Sequence, residues 1–277
     1  MSLARKINQL TKKDFGESFV NAMDLAIKEA GKPRVSRANI KPSKSGCLRQ
    51  MYYILTQAPV SGKESVNPDM YLIQQDGTYM HTVTQGILKD AEKQGIEMLD
   101  PAIEVAKAQA QGIKTVVRPS THDADNPFEL ACYNENFDIS FKFDGVGIFM
   151  KKKFILEIKN EDHFKWIKRT RPEDEHIAPQ GVMYSICLGI DYVLFLYVGR
   201  NYKKRKAYLV EITEAMKENQ ILRVKIVKYC VANKIVPMRE KHKGCTYCNH
   251  KKLCTQDGDK THEVLIKLDE VRDYEIG

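Results

Sequence analysis

The sequence has no apolar run long enough to span a bilayer, and its polar, Lys/Arg-dotted start lacks the apolar stretch of a secretory signal. No membrane span and a cytoplasmic location are therefore expected. It also has no Gly-rich loop ending in Lys-Ser/Thr, so no helicase motor is expected on this chain, and any unwinding would need a partner. Internal repeats and low-complexity tracts are absent too, which excludes a solenoid. Acidic residues are in deficit, with 36 Asp and Glu against 44 Lys and Arg, giving a formal net charge of +8 and a pI near 9.0. That imbalance favours a polyanionic partner, because Lys and Arg that neutralise phosphates release condensed counterions. A basic enzyme with no nucleic-acid role would share the composition.

What is present is ordinary in bulk: 277 residues, 43% hydrophobic and 29% charged, enough for one sizeable core or one core with a lobe attached. Seven cysteines is an odd count. Without a secretion signal, metal ligation or buried thiols fit better than a disulfide framework.

Hydrophobic periodicity predicts an amphipathic helix from Asp14 to Ala30, a basic turn-rich stretch to Lys44, a helix through Leu55 and a longer one after Pro68 that carries His81. The period then changes. Strands are predicted over Lys114–Arg118, Phe128–Tyr133, Phe137–Phe143, Val146–Met150 and Phe154–Lys159, with turns at 123–127, 134–136 and 151–153. A polar stretch leads to a helix over Ala178–Leu188, strands at Tyr192–Val198 and Ala207–Ile212, and a helix over Thr213–Ala232. This order predicts an α/β sheet layered by helices.

The most informative stretch is Asp144-Gly145, a hairpin, and then Glu157-Ile158-Lys159. Side chains alternate along a strand, so Glu157 and Lys159 face the same way and Asp144 converges on them from the neighbouring strand. Asp138 is the other candidate for that partner carboxylate, with a less suitable strand position. Two adjacent carboxylates repel unless a divalent cation lies between them, which suits Mg²⁺ or Mn²⁺. A lysine beside such an ion can orient an attacking water and offset charge on a phosphate. Glu157-Ile158-Lys159 is the only acidic-x-Lys triplet in the chain, and it closes an apolar strand.

Near the C-terminus Cys245, Cys248 and Cys254 stand at C-x₂-C-x₅-C spacing, and thiolates suit zinc or iron–sulfur. The fourth ligand is either His250 or His242, making a zinc knuckle, or Cys47 from the far side of the chain. Cys132, Cys187 and Cys230 lie in apolar contexts and are expected as buried thiols. The single tryptophan, Trp166, sits among Lys165, Lys168 and Arg169. It either stacks on a nucleobase while its neighbours hold phosphates, or belongs to a partly buried linker. Arg49 is a further candidate for DNA contact.

Taken together, His81, Asp144, Glu157 with Lys159, and Gln180 with Tyr184 resemble the RecB-like branch of the PD-(D/E)xK nucleases, in the family's order and on its element types. The resemblance implies that His81, Asp144, Glu157 and the backbone carbonyl of Ile158 hold the metal, with Gln180 and Tyr184 contacting the substrate strand or supporting the site. Cys47 together with Cys245, Cys248 and Cys254 is similar to the iron–sulfur branch, found in AddB-type nucleases and CRISPR-associated Cas-four exonucleases, which implies a [4Fe–4S] cluster. The resemblance covers roughly Cys47 to Cys254. It implies a restriction-endonuclease-like core sheet flanked by helices, with a helical, iron–sulfur lobe joining the N- and C-terminal segments. The implied domains are an extension over 1–44, the nuclease over 45–255 and a tail over 256–277. The implied activity is a Mg²⁺- or Mn²⁺-dependent exonuclease on DNA ends, single-stranded by preference, serving recombination, end resection or CRISPR adaptation with partner proteins. The rival is a non-catalytic nucleic-acid-binding module stabilised by zinc or iron–sulfur.

Overall fold

Alternation and apolar content along two strands decide the architecture. The computed structural model describes residues 13–30, 38–60, 67–118, 129–172, 180–200, 204–241 and 243–258. They fall into two units. The smaller takes in α1 (Lys13–Ala30) and the start of α3 (Pro68–Lys89), up to Asp76; Phe19, Met23 and Leu25 of α1 are exposed.

The larger unit is built on a five-stranded mixed sheet. Its strands are β1 (Glu97–Leu99), β5 (Gly145–Phe149), β6 (Lys152–Glu161), β7 (Tyr192–Gly199) and β8 (Arg205–Glu211), paired in that order. Only β6 and β7 run parallel. They are also the most apolar strands, as expected where both faces of a sheet are covered. On one face Ile155 of β6 packs with Val193, Phe195 and Tyr197 of β7 in the main core, which also holds residues of α6 (Val182–Leu188) and α7 (Glu214–Ala232). On the other face Phe154, Leu156 and Ile158 pack with Leu196, Val198 and Met80 of α3. A parallel pair needs a crossover, and this one carries α5 (His163–Lys168) and α6.

The strand meander divides where a single sheet was expected. β2 (Thr115–Val117), β3 (Cys132–Asn134) and β4 (Ile139–Phe141) form a separate three-stranded antiparallel sheet. The break falls at Lys142-Phe143-Asp144. Gly145 follows with φ +150°, and a Cβ there would meet the Met98 side chain at 2.8 Å, so only glycine allows this bend. The hairpin turn expected at 151–153 is Met150-Lys151, both at positive φ (48° and 63°), the twist that a two-residue hairpin requires. β1 and α4 (Pro101–Ala110), the latter capped by Asp100 accepting from the Ala102 N–H at 2.8 Å, were not expected. The turn expected at 123–127, the start of the Phe128 strand, His242 and the acidic tail lie outside the described residues.

The segment at Cys47 and the segment before Gly258 meet. α2 (Leu48–Leu55) has its first N–H bound by Glu240, Leu48 N to Oε2 at 2.7 Å, and Arg223 of α7 grips the same carboxylate at 2.7 and 2.9 Å. Arg49 is buried and donates to the carbonyls of Pro237 (3.0 Å), Cys254 (3.1 Å) and Gly258 (2.9 Å). Tyr53 donates to Asp257 at 2.5 Å, beside α8 (Lys251–Gln256). Arg49, expected as a DNA contact, is instead an internal strap. Arg49→Ala removes the donor from three carbonyls and is expected to cost about 3 kcal/mol. The check is a lowered urea midpoint with an unchanged m-value.

Candidate active site

The ladder between β5 and β6 stops at Gly145 opposite Leu156, which leaves Ile158 without a strand partner on that edge. Asp144 fills the gap: its Oδ2 accepts the Ile158 N–H at 2.6 Å. A strand residue projects its N–H and C=O to the same edge, so the Ile158 carbonyl faces the same space. The other oxygen of Asp144, Oδ1, lies 3.1 Å from His81 Nδ1 on α3, 63 residues away in sequence. One turn along α3, the buried Gln85 donates to the Asp144 backbone carbonyl at 2.8 Å and fixes the helix against this corner. Asp138 is elsewhere. It sits in the turn before β4 at φ +56°, bound by Tyr133 OH (2.8 Å) and Asn39.

Glu157 and Lys159 project together from β6 as alternation requires. Lys159 Nζ donates to Glu157 Oε1 at 2.6 Å and to Gln180 Oε1 at 2.5 Å. Gln180 Nε2 donates to the same Glu157 oxygen at 2.9 Å. Gln180 lies in a wider turn just before α6, and Tyr184, one turn on, donates its hydroxyl to the Lys142 carbonyl at 2.9 Å. The six side chains expected from the sequence therefore gather at one end of the β5–β6 pair.

Electrostatics follow from burial and crowding. Burial pushes the Glu157 carboxyl above its ordinary range, Lys159 pulls it back, and Asp144 pushes it further up. Burial works against protonation of His81, but its hydrogen bond to Asp144 and the charges of Asp144, Glu157 and Glu129 outweigh it, and its affinity for a proton rises. Tyr184 is held well above the ordinary phenol range, chiefly by burial and then by Glu157 and Asp144.

Glu129 was missed. It precedes β3, and among the described residues it forms with His81 and Asp144 a set whose ligand atoms all lie within 4.8 Å of one another. Burial and Asp144 raise its carboxyl. Nothing in the local sequence marks it, because it reaches the site only through the separate three-stranded sheet. The carboxylate oxygens are hard donors and the imidazole nitrogen a borderline one, a set that fits Mn²⁺ and accepts Mg²⁺. Glu157 is turned toward Lys159 and Gln180 and is not part of that compact set.

The cysteines divide as expected by burial: Cys132, Cys187 and Cys230 are buried, and Cys245, Cys248 and Cys254 are partly exposed. Cys47 is buried at the start of α2, and its thiol is pushed up to about 11 by burial, with Glu240 and Cys245 adding to the rise. Arg49 Nη1 lies 3.6 Å from the Cys254 sulfur. The donor chemistry fits a thiolate-bound group. A tetrahedral zinc, with Zn–S of about 2.3 Å, needs its ligand atoms within about 4 Å of one another. Among the described residues, no three of these Cys and His donors come that close.

The basic cluster is split. Trp166 packs on Gly199, where a Cβ would meet its ring at 3.3 Å, and Lys206 Nζ lies over the ring at 4.4 Å. Arg169 is buried, with Nε on Glu161 Oε2 at 2.7 Å and Nη2 on Oε1, and it stacks over Tyr197. Of the four residues expected to touch DNA here, only Lys165 and Lys168 are exposed.

No family model matches the sequence, and no curated protein matches it. Among solved structures the chain is similar to SSO0001, at 12% identity and TM-score 0.42, over 86% of this chain and 95% of that one. It is also similar to the alkaline exonuclease LHK-Exo from Laribacter hongkongensis, at 12% identity and TM-score 0.41, over 72% of this chain and 90% of that one. The same enzyme in complex with dAMP matches at 12% identity and TM-score 0.40, over 71% and 89%.

Glu161→Ala removes two charge-assisted hydrogen bonds from the buried Arg169 guanidinium and is expected to cost about 3–5 kcal/mol. Chemical denaturation measures it, and a change below 1 kcal/mol would show that the pair is solvated.

Proposed function

We propose that this chain is a divalent-metal-dependent nuclease that hydrolyses DNA from its ends. The observation that carries the reading is the linked network His81–Asp144–Ile158 and Glu157–Lys159–Gln180–Tyr184 at the end of a two-strand ladder. His81, Asp144, Glu157 and the Ile158 carbonyl would hold Mg²⁺ or Mn²⁺, which when bound polarises the scissile phosphate. Lys159 has a fixed position between two oxygen acceptors, and its third N–H is the donor left to orient the attacking water. Gln180 holds both Glu157 and Lys159 in place, and Tyr184 stays a protonated hydroxyl that donates and does not titrate. Lys165 and Lys168 are exposed on α5 of the crossover and would track phosphates.

The finer part of the proposal is exonuclease action on single-stranded ends, in recombination, end resection or CRISPR adaptation. Cys47, Cys245, Cys248 and Cys254 would hold a [4Fe–4S] cluster, whose role is to staple α2 to the C-terminal segment across the whole nuclease core. The resemblance of Cys47 with the C-x₂-C-x₅-C run to the iron–sulfur branch favours the cluster over zinc. No helix of the described residues is long and apolar enough to cross a membrane.

The test is cleavage of end-labelled single- and double-stranded DNA by anaerobically purified protein with Mn²⁺ or Mg²⁺. Metal-dependent shortening from an end is expected, reduced at least about 100-fold in Lys159→Ala and Glu157→Ala. A brown, iron-loaded, folded sample that binds DNA without cutting it would replace the enzyme by a binding module. Charge reversal of Lys165 and Lys168 is expected to weaken binding evenly across sequences and to lower the log–log salt slope by about 2. An unchanged slope would remove the pair from the interface.

A further inference from the structure

We infer that Glu129 is a metal ligand, so that the divalent ion of this site is held on a His81–Glu129–Asp144 face as well as by the strand residues. The inference rests on the nuclease reading above and adds a residue to it.

Three observations support the assignment. The ligand atoms of His81, Glu129 and Asp144 lie within 4.8 Å of one another, and they come from three separate places: α3, the segment before β3, and the bend before β5. Donors brought together from such distances satisfy one ion, because crowding two carboxylates otherwise costs energy. Gln85 makes the arrangement rigid. The same Nε2 that holds the Asp144 carbonyl at 2.8 Å also reaches Glu129 Oε1 at 3.4 Å, so the two acids are tied to a single buried amide one turn from His81. The corner is also reachable: the His81 side chain is 26% exposed and that of Glu129 23%, which leaves room for an ion and a phosphate oxygen.

A structural role for Glu129 has a weaker basis. Its charged partner would be Lys142, whose Nζ stands 4.0 Å from Oε2 and whose side chain is 41% exposed, the kind of pair that contributes little, and its hydrogen bond from Gln85 is long at 3.4 Å. Glu157 has two donors on one oxygen, whereas Glu129 has no cation at hydrogen-bond distance among the described contacts.

The experiment is Mn²⁺ binding to the full chain by isothermal titration calorimetry, beside thermal melting with and without Mn²⁺, for wild type, Glu129→Gln and Glu157→Gln. Glu129→Gln is expected to weaken Mn²⁺ binding about tenfold or more. The metal-free variant is expected to melt at or above the wild-type temperature, because one of two crowded carboxylates is neutralised, while most of the Mn²⁺-dependent rise in melting temperature is lost. An unchanged Mn²⁺ affinity overturns the assignment, and so does a metal-free Glu129→Gln protein that melts lower yet keeps the full Mn²⁺-dependent rise. If Glu129→Gln does not fold, Glu129→Ala is read against the same two outcomes. Wild-type protein that takes up no Mn²⁺ brings down the nuclease reading as well. Wild type and Glu129→Gln binding alike, with Glu157→Gln impaired, bring down this inference alone.

Discussion

One hydrogen bond sets the geometry of everything around it: the Ile158 N–H to the Asp144 carboxylate, at the point where the β5–β6 ladder runs out. Ile158 is buried, and a buried N–H with no partner costs about 1–3 kcal/mol. The chain avoids that loss by bending at Gly145 so that Asp144 lies against the strand edge. Once one carboxylate oxygen is committed to β6, the other can point only into the corner where His81 stands. Gln85 then locks α3 to the Asp144 carbonyl, and Met80 on the same helix packs on Leu156 and Ile158. The fold and the site are joined through a single side chain.

The same corner gathers three acids, Asp144, Glu157 and Glu129, with Lys159 and His81 as counter-charges. The arrangement is lopsided. On the β6 side Lys159 and Gln180 both donate to Glu157, so that carboxylate is compensated within the protein. On the α3 side the compensation is one imidazole, which binds its proton more firmly for that reason, and Lys142 at 4.0 Å from Glu129. Asp144 is shared between the two. A divalent cation would relieve the α3 side most, because there the protein's own positive charge is thinnest.

Strand alternation made Glu157 and Lys159 legible in the sequence as a pair, and the single acidic-x-Lys triplet at the end of an apolar strand marked where to look. Gln180 and Tyr184 were legible as neighbours one helical turn apart. Glu129 and Gln85 were not, because their relation to Asp144 exists only after the strands divide into two sheets, and no local pattern encodes a contact 59 residues apart. Arg169 was misplaced for a different reason. A run of basic residues looks like a surface until its partner is known. Here the partner, Glu161, lies eight residues earlier on the strand that carries the site. The short β1 and α4 lacked a clear period, and only Asp100-Pro101, a cap followed by a residue suited to a first turn, hinted at a helix.

The count of 44 Lys and Arg therefore overstates the cations available to a polyanion. Arg49 is spent on carbonyls of the C-terminal segment, Arg223 on Glu240, Arg169 on Glu161, and Lys206 on the carbonyls that end α5. These cations hold the crossover and the joined chain ends, and a buried or fully bonded guanidinium does not release counterions from a phosphate backbone. On α5 the outward-facing charge falls to Lys165 and Lys168, on a short helix that Asp162 caps at its start and Lys206 ties down at its end. The basic composition thus serves two separable purposes. Arginine, with its planar fork of donors, fastens the scaffold. Lysine on the crossover remains free to meet a phosphate, on the same connection that leads from the Glu157 strand to the Gln180 turn.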